Sequence, residues 1–124
     1  MNKSRVIIFL ILISCISVSM KLYLIDFSTF PNDEDALGYI LRSIAHTNGD
    51  YSPMSSKTLG WTIFLSPFLN LVDSENFIDY ANMARIVSVG VSIASIFMMY
   101  VLARKFFTEK YSLVAACLLH LNLI

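Results

Sequence analysis

Apolar residues run almost unbroken from Val6 to Ile25, relieved by scattered serines, Cys15, and Lys21 and Tyr23 near the far end. Twenty residues at about 1.5 Å each reach roughly 30 Å as a helix, the thickness of a bilayer's hydrocarbon core. The pattern predicts a membrane-crossing helix over 6–25, with the long stem of Lys21 carrying its charge to an interface. A cleaved signal peptide competes with this reading, because Lys3 and Arg5 make a basic start and Leu12-Ile13-Ser14-Cys15 resembles a lipoprotein cleavage box. The apolar run continuing past Cys15 through Ile16, Val18, Met20, Leu22 and Leu24 favours a retained span. A second uncharged stretch, Ile86 to Ala103, ends at Arg104-Lys105 and predicts a span over 84–104. Ser88, Ser92 and Ser95 share one face of it, with Gly90 and Ala94 also small, a surface on which membrane helices approach closely. A third apolar stretch, 111–124, is too short to cross and is expected to be the start of a span in a longer protein.

Between the first two spans, residues 26–80 change pattern. Asn32 or Asp33 can cap a helix whose first turn holds Glu34 and Asp35, a favourable placement against the helix dipole. Leu37, Ile40, Leu41, Ile44 and Ala45 then recur at helical spacing, while Asp35, Tyr39, Arg42 and His46 align on the opposite side. Asn48-Gly49 supplies the stop. These signals predict an amphipathic helix over about 34–47 lying on a membrane surface, its polar row turned to water or a cleft. A shorter apolar piece over about 60–72, broken by Pro67 and Asn70, reads as a second interfacial segment with Trp61 at headgroup level. The expected fold class is all-α and polytopic: about three transmembrane helices with a large extracytoplasmic loop carrying surface-lying helices.

Charge orients this arrangement. Eight of the nine acidic residues fall between Asp26 and Asp79, where Arg42 and Lys57 are the only cations. Lys3 and Arg5 at one end, and Arg104, Lys105 and Lys110 at the other, mark the segments expected to face the cytoplasm. The expected location is the plasma membrane or its equivalent, with the amino terminus inside and the acidic loop outside. A hydrophobic content of 56% is too high for an ordinary soluble domain of this length. Cys15 and Cys117 both sit in apolar runs, so neither a disulfide framework nor a thiolate metal site is expected. No basic patch for nucleic acid is present, and the acidic loop would repel phosphates.

The chemistry expected of the loop centres on Asp33-Glu34-Asp35. A carboxylate at a membrane face can take a proton from an attacking hydroxyl. The same cluster could hold a divalent cation such as magnesium, calcium or manganese, or could simply complement the helix dipole. Lys57 and Arg42 could neutralise a leaving phosphate or serve solubility, and Arg85 could contact a lipid phosphate or mark the interface. His46 has no second histidine at ligand spacing, and His120 stands in the third apolar stretch, so no histidine metal site is expected.

The order of features is itself informative. A first span is followed by Asp33-Glu34-Asp35 with Tyr39, then Gly49-Asp50-Tyr51, then Lys57-Thr58-Leu59-Gly60-Trp61. Ala84-Arg85-Ile86 next opens a span that ends in Leu102-Ala103-Arg104-Lys105-Phe106-Phe107. Nearly the whole chain thus resembles the amino-terminal part of a polytopic glycosyltransferase of the GT-C superfamily, of the protein O-mannosyltransferase and aminoarabinose-transferase type. The resemblance implies transfer of a sugar from a polyprenyl-phosphate carrier to a protein or glycolipid acceptor on the extracytoplasmic side, with membrane lipid as a partner. It implies a catalytic carboxylate in the first loop. Counting back from Tyr39 selects Asp35, counting back from Gly49-Asp50 selects Glu34, and the literal Asp-Glu pair is Asp33-Glu34. It implies a donor contact at Lys57, where Thr58 replaces the usual proline; Tyr39 belongs to the family's acidic motif, and with Arg42 and Arg85, singled out above by their charge, it completes the set of substrate-binding candidates. No cofactor follows from the resemblance, since related enzymes differ in whether they need a divalent cation. The competing expectation is a small non-catalytic membrane subunit or scaffold whose acidic loop docks a partner.

Overall fold

The computed structural model describes residues 3–31, 33–51 and 59–122, and all regular structure among them is helical. Five helices follow in order: α1 (Lys3–Leu24), α2 (Glu34–Thr47), α3 (Leu59–Leu69), α4 (Phe77–Ala103) and α5 (Glu109–Asn122). Within α1 and α4, Ser4–Leu24 and Phe77–Ala103 are long and apolar enough to cross a membrane. The chain divides into two compact units, Asp26–Val87 and the remainder, so that the start of α4 belongs to one and its longer part to the other.

In the unit formed by α1, the later part of α4 and α5, the core is a narrow stripe. Val6, Leu10 and Ile13 of α1 pack with Ile96 of α4 and Leu113 and Ala116 of α5, flanked by Tyr100 and Cys117. Spacings of four and three residues put these α1 positions on one face. The rest of α1 is as apolar as the stripe, and Ile7, Ile8, Phe9, Ile11 and Leu12 stay exposed. A helix that is apolar all round and covered on one stripe only has its remaining faces suited to lipid or to further helices. The polar atoms inside this unit are served locally: Ser14 Oγ donates to the carbonyl of Leu10 (2.9 Å) and Ser92 Oγ to that of Val89 (2.8 Å). Ser17 Oγ is buried with no hydrogen-bond partner among the described residues. Of the small-residue face expected on α4, Ser92 is buried whereas Ser88 and Gly90 stand open.

The unit from Asp26 to Val87 packs α2, α3 and the first turns of α4 around Ile40, Leu65, Leu69, Ala81 and Ala84, with Ile44, Phe77, Tyr80, Met83 and Val87 at its margin. Asp33 sits in extended conformation before α2 and accepts the amide of Asp35 (3.1 Å), the cap that the sequence offered to Asn32 or Asp33. At the other end Gly49 adopts φ 78°, its amide donating to the carbonyl of His46 (3.1 Å) and that of Asp50 to Ala45 (3.0 Å). This paired closure is a Schellman motif, and it needs the left-handed residue that glycine accommodates.

Helix α3 ends three residues before the expected boundary. Pro67 cannot donate to the ladder, and three-residue turns through Leu71 and Val72 wind the chain out of the helix. Helix α4 instead begins seven residues before the expected span, inside the segment read as loop. The side-chain oxygen of Asn76 accepts the amide of Ile78 (3.0 Å), and Asp79 sits in the first turn, joined to Ser74. With that cap in place, Ala81 and Ala84 can be helical and small enough to bury against α2 and α3.

Candidate functional site

The acidic triplet occupies the start of α2. Asp33, Glu34 and Asp35 are all exposed, and one Asp33 oxygen is committed to the Asp35 amide. Three carboxylates at the positive end of a helix are electrostatically favoured there. Tyr39, one turn on, is half-buried, and its carbonyl accepts the hydroxyl of Ser43 (2.7 Å).

The polar row does not continue outward as expected of a surface helix. Arg42 is 9% exposed and His46 only 3%, whereas Leu41, assigned to the apolar face, is 52% exposed. The buried arc of α2 runs through His46, Ser43 and Ile40, so the helix is rotated from the orientation its hydrophobic pattern favours. The reason is a partner on α3. His46 Nε2 lies 3.1 Å from Thr62 Oγ1, and Nδ1 lies 3.1 Å from the carbonyl oxygen of Asp50. A carbonyl only accepts, so Nδ1 donates to it, while Nε2 is within hydrogen-bonding distance of the Thr62 hydroxyl. Thr62 Oγ1 also reaches the carbonyl of Leu59 (2.9 Å). The ring of Tyr51 stacks on the imidazole at 4.9 Å between centroids. His46, Tyr51, Ser66, Pro67 and Asn70 line an adjoining cavity of about 290 Å³.

Residues that carried the family resemblance therefore converge on one histidine: Asp50 through its carbonyl, Tyr51 through its ring, and Gly49 through the turn that positions both. Asp35 stands at the other end of α2, about 16 Å away along the helix axis. The structure thus does not bring the acidic triplet together with His46. Arg42 lies one turn before His46 on the buried side of the helix. Lys57 lies outside the described residues.

Arg85 has a structural engagement within the same unit. Its guanidinium donates to Asn82 Oδ1 (2.8 Å) and to the carbonyl of Thr29 (2.9 Å), while Asn82 Nδ2 donates to the carbonyl of Phe27 (3.0 Å). Two side chains three residues apart on α4 thereby hold the strand of chain that follows α1. Asp26 stiffens the same turn by accepting the hydroxyl (2.6 Å) and amide (2.9 Å) of Ser28. These two bonds, hydroxyl first, hold the Asp26 carboxyl below its ordinary range, with the Arg85 charge adding a smaller pull in the same direction.

Sequence reasoning missed Thr62 and Asn82. The Asp26–Ser28 spacing is a local signal for such a turn, but nothing near Thr62 marks it as a histidine's partner. Among the described residues no three His, Cys, Asp or Glu side chains converge as metal ligands. Both cysteines are free, Cys15 exposed and Cys117 half-buried. No protein-family model matches the chain, and neither a curated protein nor a solved structure was found that is similar to it.

Proposed function

We propose that the chain forms the amino-terminal part of a GT-C-type membrane glycosyltransferase that uses a polyprenyl-phosphate sugar donor. The observation that carries this reading is the character of the Asp26–Val87 unit, which follows the first membrane-length helix and takes in the opening turns of the second. It folds as a unit with its own core and presents Asp33-Glu34-Asp35, exposed, on the first turn of a capped helix. A first span, an acidic motif ahead of a Tyr and a Gly-Asp pair, and then a second span is the order on which the resemblance rests. In this reading α1 and α4 cross the membrane, the amino terminus is cytoplasmic, and the Asp26–Val87 unit faces the extracytoplasmic side.

The reaction is a single displacement with inversion. The Asp35 carboxylate, or that of Glu34, takes the proton of an acceptor hydroxyl as its oxygen attacks the anomeric carbon. The bond from that carbon to the phosphate oxygen breaks, and the lipid phosphate leaves with the electron pair, its charge met by Lys57. Asp33 acts through the fold, because its oxygen fixes the first turn on which the other two acids stand.

The test is transfer of labelled sugar from a polyprenyl-phosphate donor by membranes containing the full-length protein. Asp35→Asn is expected to abolish transfer while leaving membrane insertion intact. Undiminished transfer by that variant would overturn the assignment of the base. Absence of transfer by the unaltered, correctly inserted protein would favour the scaffold reading instead.

A further inference from the structure

We propose that the basic end of the α1–α4–α5 unit binds an anionic phospholipid, with acyl chains in two apolar grooves flanking α5 and the headgroup phosphate held by Lys105 and Lys110. This rests on the membrane reading above and is independent of the transfer chemistry.

The first groove, of about 610 Å³, lies between α4 and α5 and is lined by Phe97, Met98, Leu102 and Leu119, with Lys105 at its rim. The second, of about 360 Å³, lies between α1 and α5 and is lined by Phe9, Leu113, Val114 and Leu118, with Lys110 at its rim. Each groove is apolar along its length and carries one cation. Both lysines are exposed, and they lie five residues apart across the turn that joins α4 to α5. Phe9, near the start of α1, lines the same groove as Lys110, so the starts of α1 and α5 lie at one end of this unit together with the close of α4.

In sequence that end carries Lys3, Arg5, Arg104, Lys105 and Lys110 against the single acid Glu109. Arg104, itself exposed, donates to the carbonyl of Phe107 in its own loop (3.2 Å), and Lys105 and Lys110 are the cations bordering the grooves. Two apolar channels, each with a cation at its rim, complement a ligand with apolar chains and one anionic head. Basic pockets between membrane helices on the cytoplasmic side bind such lipids by this combination of point charge and apolar burial. A zwitterionic lipid would fill the grooves equally well but present its own cation to the lysines.

The purified protein in detergent is offered equimolar dioleoylphosphatidylglycerol and dioleoylphosphatidylcholine, and retained lipid is counted by native mass spectrometry. Preferential retention of phosphatidylglycerol is expected, falling about fivefold on Lys105→Gln or Lys110→Gln and preserved in Lys105→Arg. Arg5→Gln, which removes a charge from the same end but from neither groove, is expected to leave retention unchanged. Equal retention of the two lipids, or a drop in Arg5→Gln matching that of the lysine variants, would overturn the proposal. Circular dichroism checks that each variant keeps its helices. Failure of sugar transfer alone leaves the lipid result standing, whereas release of the protein from membranes by carbonate overturns both readings.

Discussion

At the scale of single residues, His46 organises the α2–α3 pair. Its ring is buried, bonded at both nitrogens and stacked on Tyr51. His46→Phe keeps the apolar bulk and the stack, yet removes both polar contacts. The Asp50 carbonyl then loses its side-chain donor, while Thr62 retains Leu59. A loss of about 1–3 kcal/mol is expected, measured as a lowered thermal midpoint of the purified protein, with Leu41→Ala at an exposed position as the near-neutral control. Gly49 is a separate case. Nothing lies within 4 Å of a Cβ placed there, so Gly49→Ala meets no clash and should cost about 1 kcal/mol through its φ of 78° alone. A larger loss at Gly49 would mean that the turn is held by more than its backbone.

Asp26 gives a residue-scale effect with a definite sign in pH. Its carboxyl is depressed in the folded chain, so the turn it closes is strengthened wherever the group is ionised. That strengthening is complete above the ordinary carboxylate value of 3.8 and is lost as pH falls through the lower folded value. Ser28→Ala removes the hydroxyl donor and should raise the Asp26 pKa toward its ordinary value. Carbon-detected NMR titration of the carboxylate reads the change, and an unmoved titration curve would show that the Ser28 hydroxyl does not set it.

At the scale of elements, α2 was legible almost to its ends because its signals are local. Asp33 caps it, acids fill its first turn, and Asn48-Gly49 closes it, each within a few residues of the position it controls. Its rotation was not legible. The hydrophobic pattern pointed Leu41 inward and His46 outward, and the outcome was decided by Thr62, sixteen residues away on another helix. The early start of α4 was missed for a related reason. Asp79 reads as loop charge until Asn76 and Ser74 are seen to build a cap around it. Arg85 offered two readings from sequence, and its bond to the Thr29 carbonyl, fifty-six residues back, was visible to neither. Of the candidate site, then, the acidic turn was legible and the histidine hub was not. The cap also separates two roles within the acidic triplet. Asp33→Ala should destabilise α2 by about 1 kcal/mol, whereas Asp33→Asn, which can still accept the Asp35 amide, should be close to neutral in both stability and transfer. Loss of transfer in Asp33→Asn with an unchanged unfolding midpoint would move the catalytic assignment from Asp35 to Asp33.

At the scale of the whole molecule, the distribution of charge makes a claim that helix lengths cannot make. Ser4–Leu24 and Phe77–Ala103 can each span a bilayer, but length and hydropathy are indifferent to direction. The direction proposed here rests on the contrast between eight acids against two cations over 26–80 and the basic clusters at Lys3-Ser4-Arg5 and Arg104-Lys105. The consequence can be tested with single cysteines, because Cys15 and Cys117 both lie in apolar helices and can be replaced by alanine. In that background, Ser74→Cys, in the stretch just before α4, should react with a membrane-impermeant maleimide added to intact cells. Phe107→Cys, in the exposed turn between α4 and α5, should react only after the cells are opened. The reversed pattern would place the acidic unit inside, away from any extracytoplasmic acceptor. Labelling of both positions in intact cells would mean that α4 does not cross. Either result would remove the orientation on which the assignment of Asp35 and Glu34 to an external transfer reaction depends.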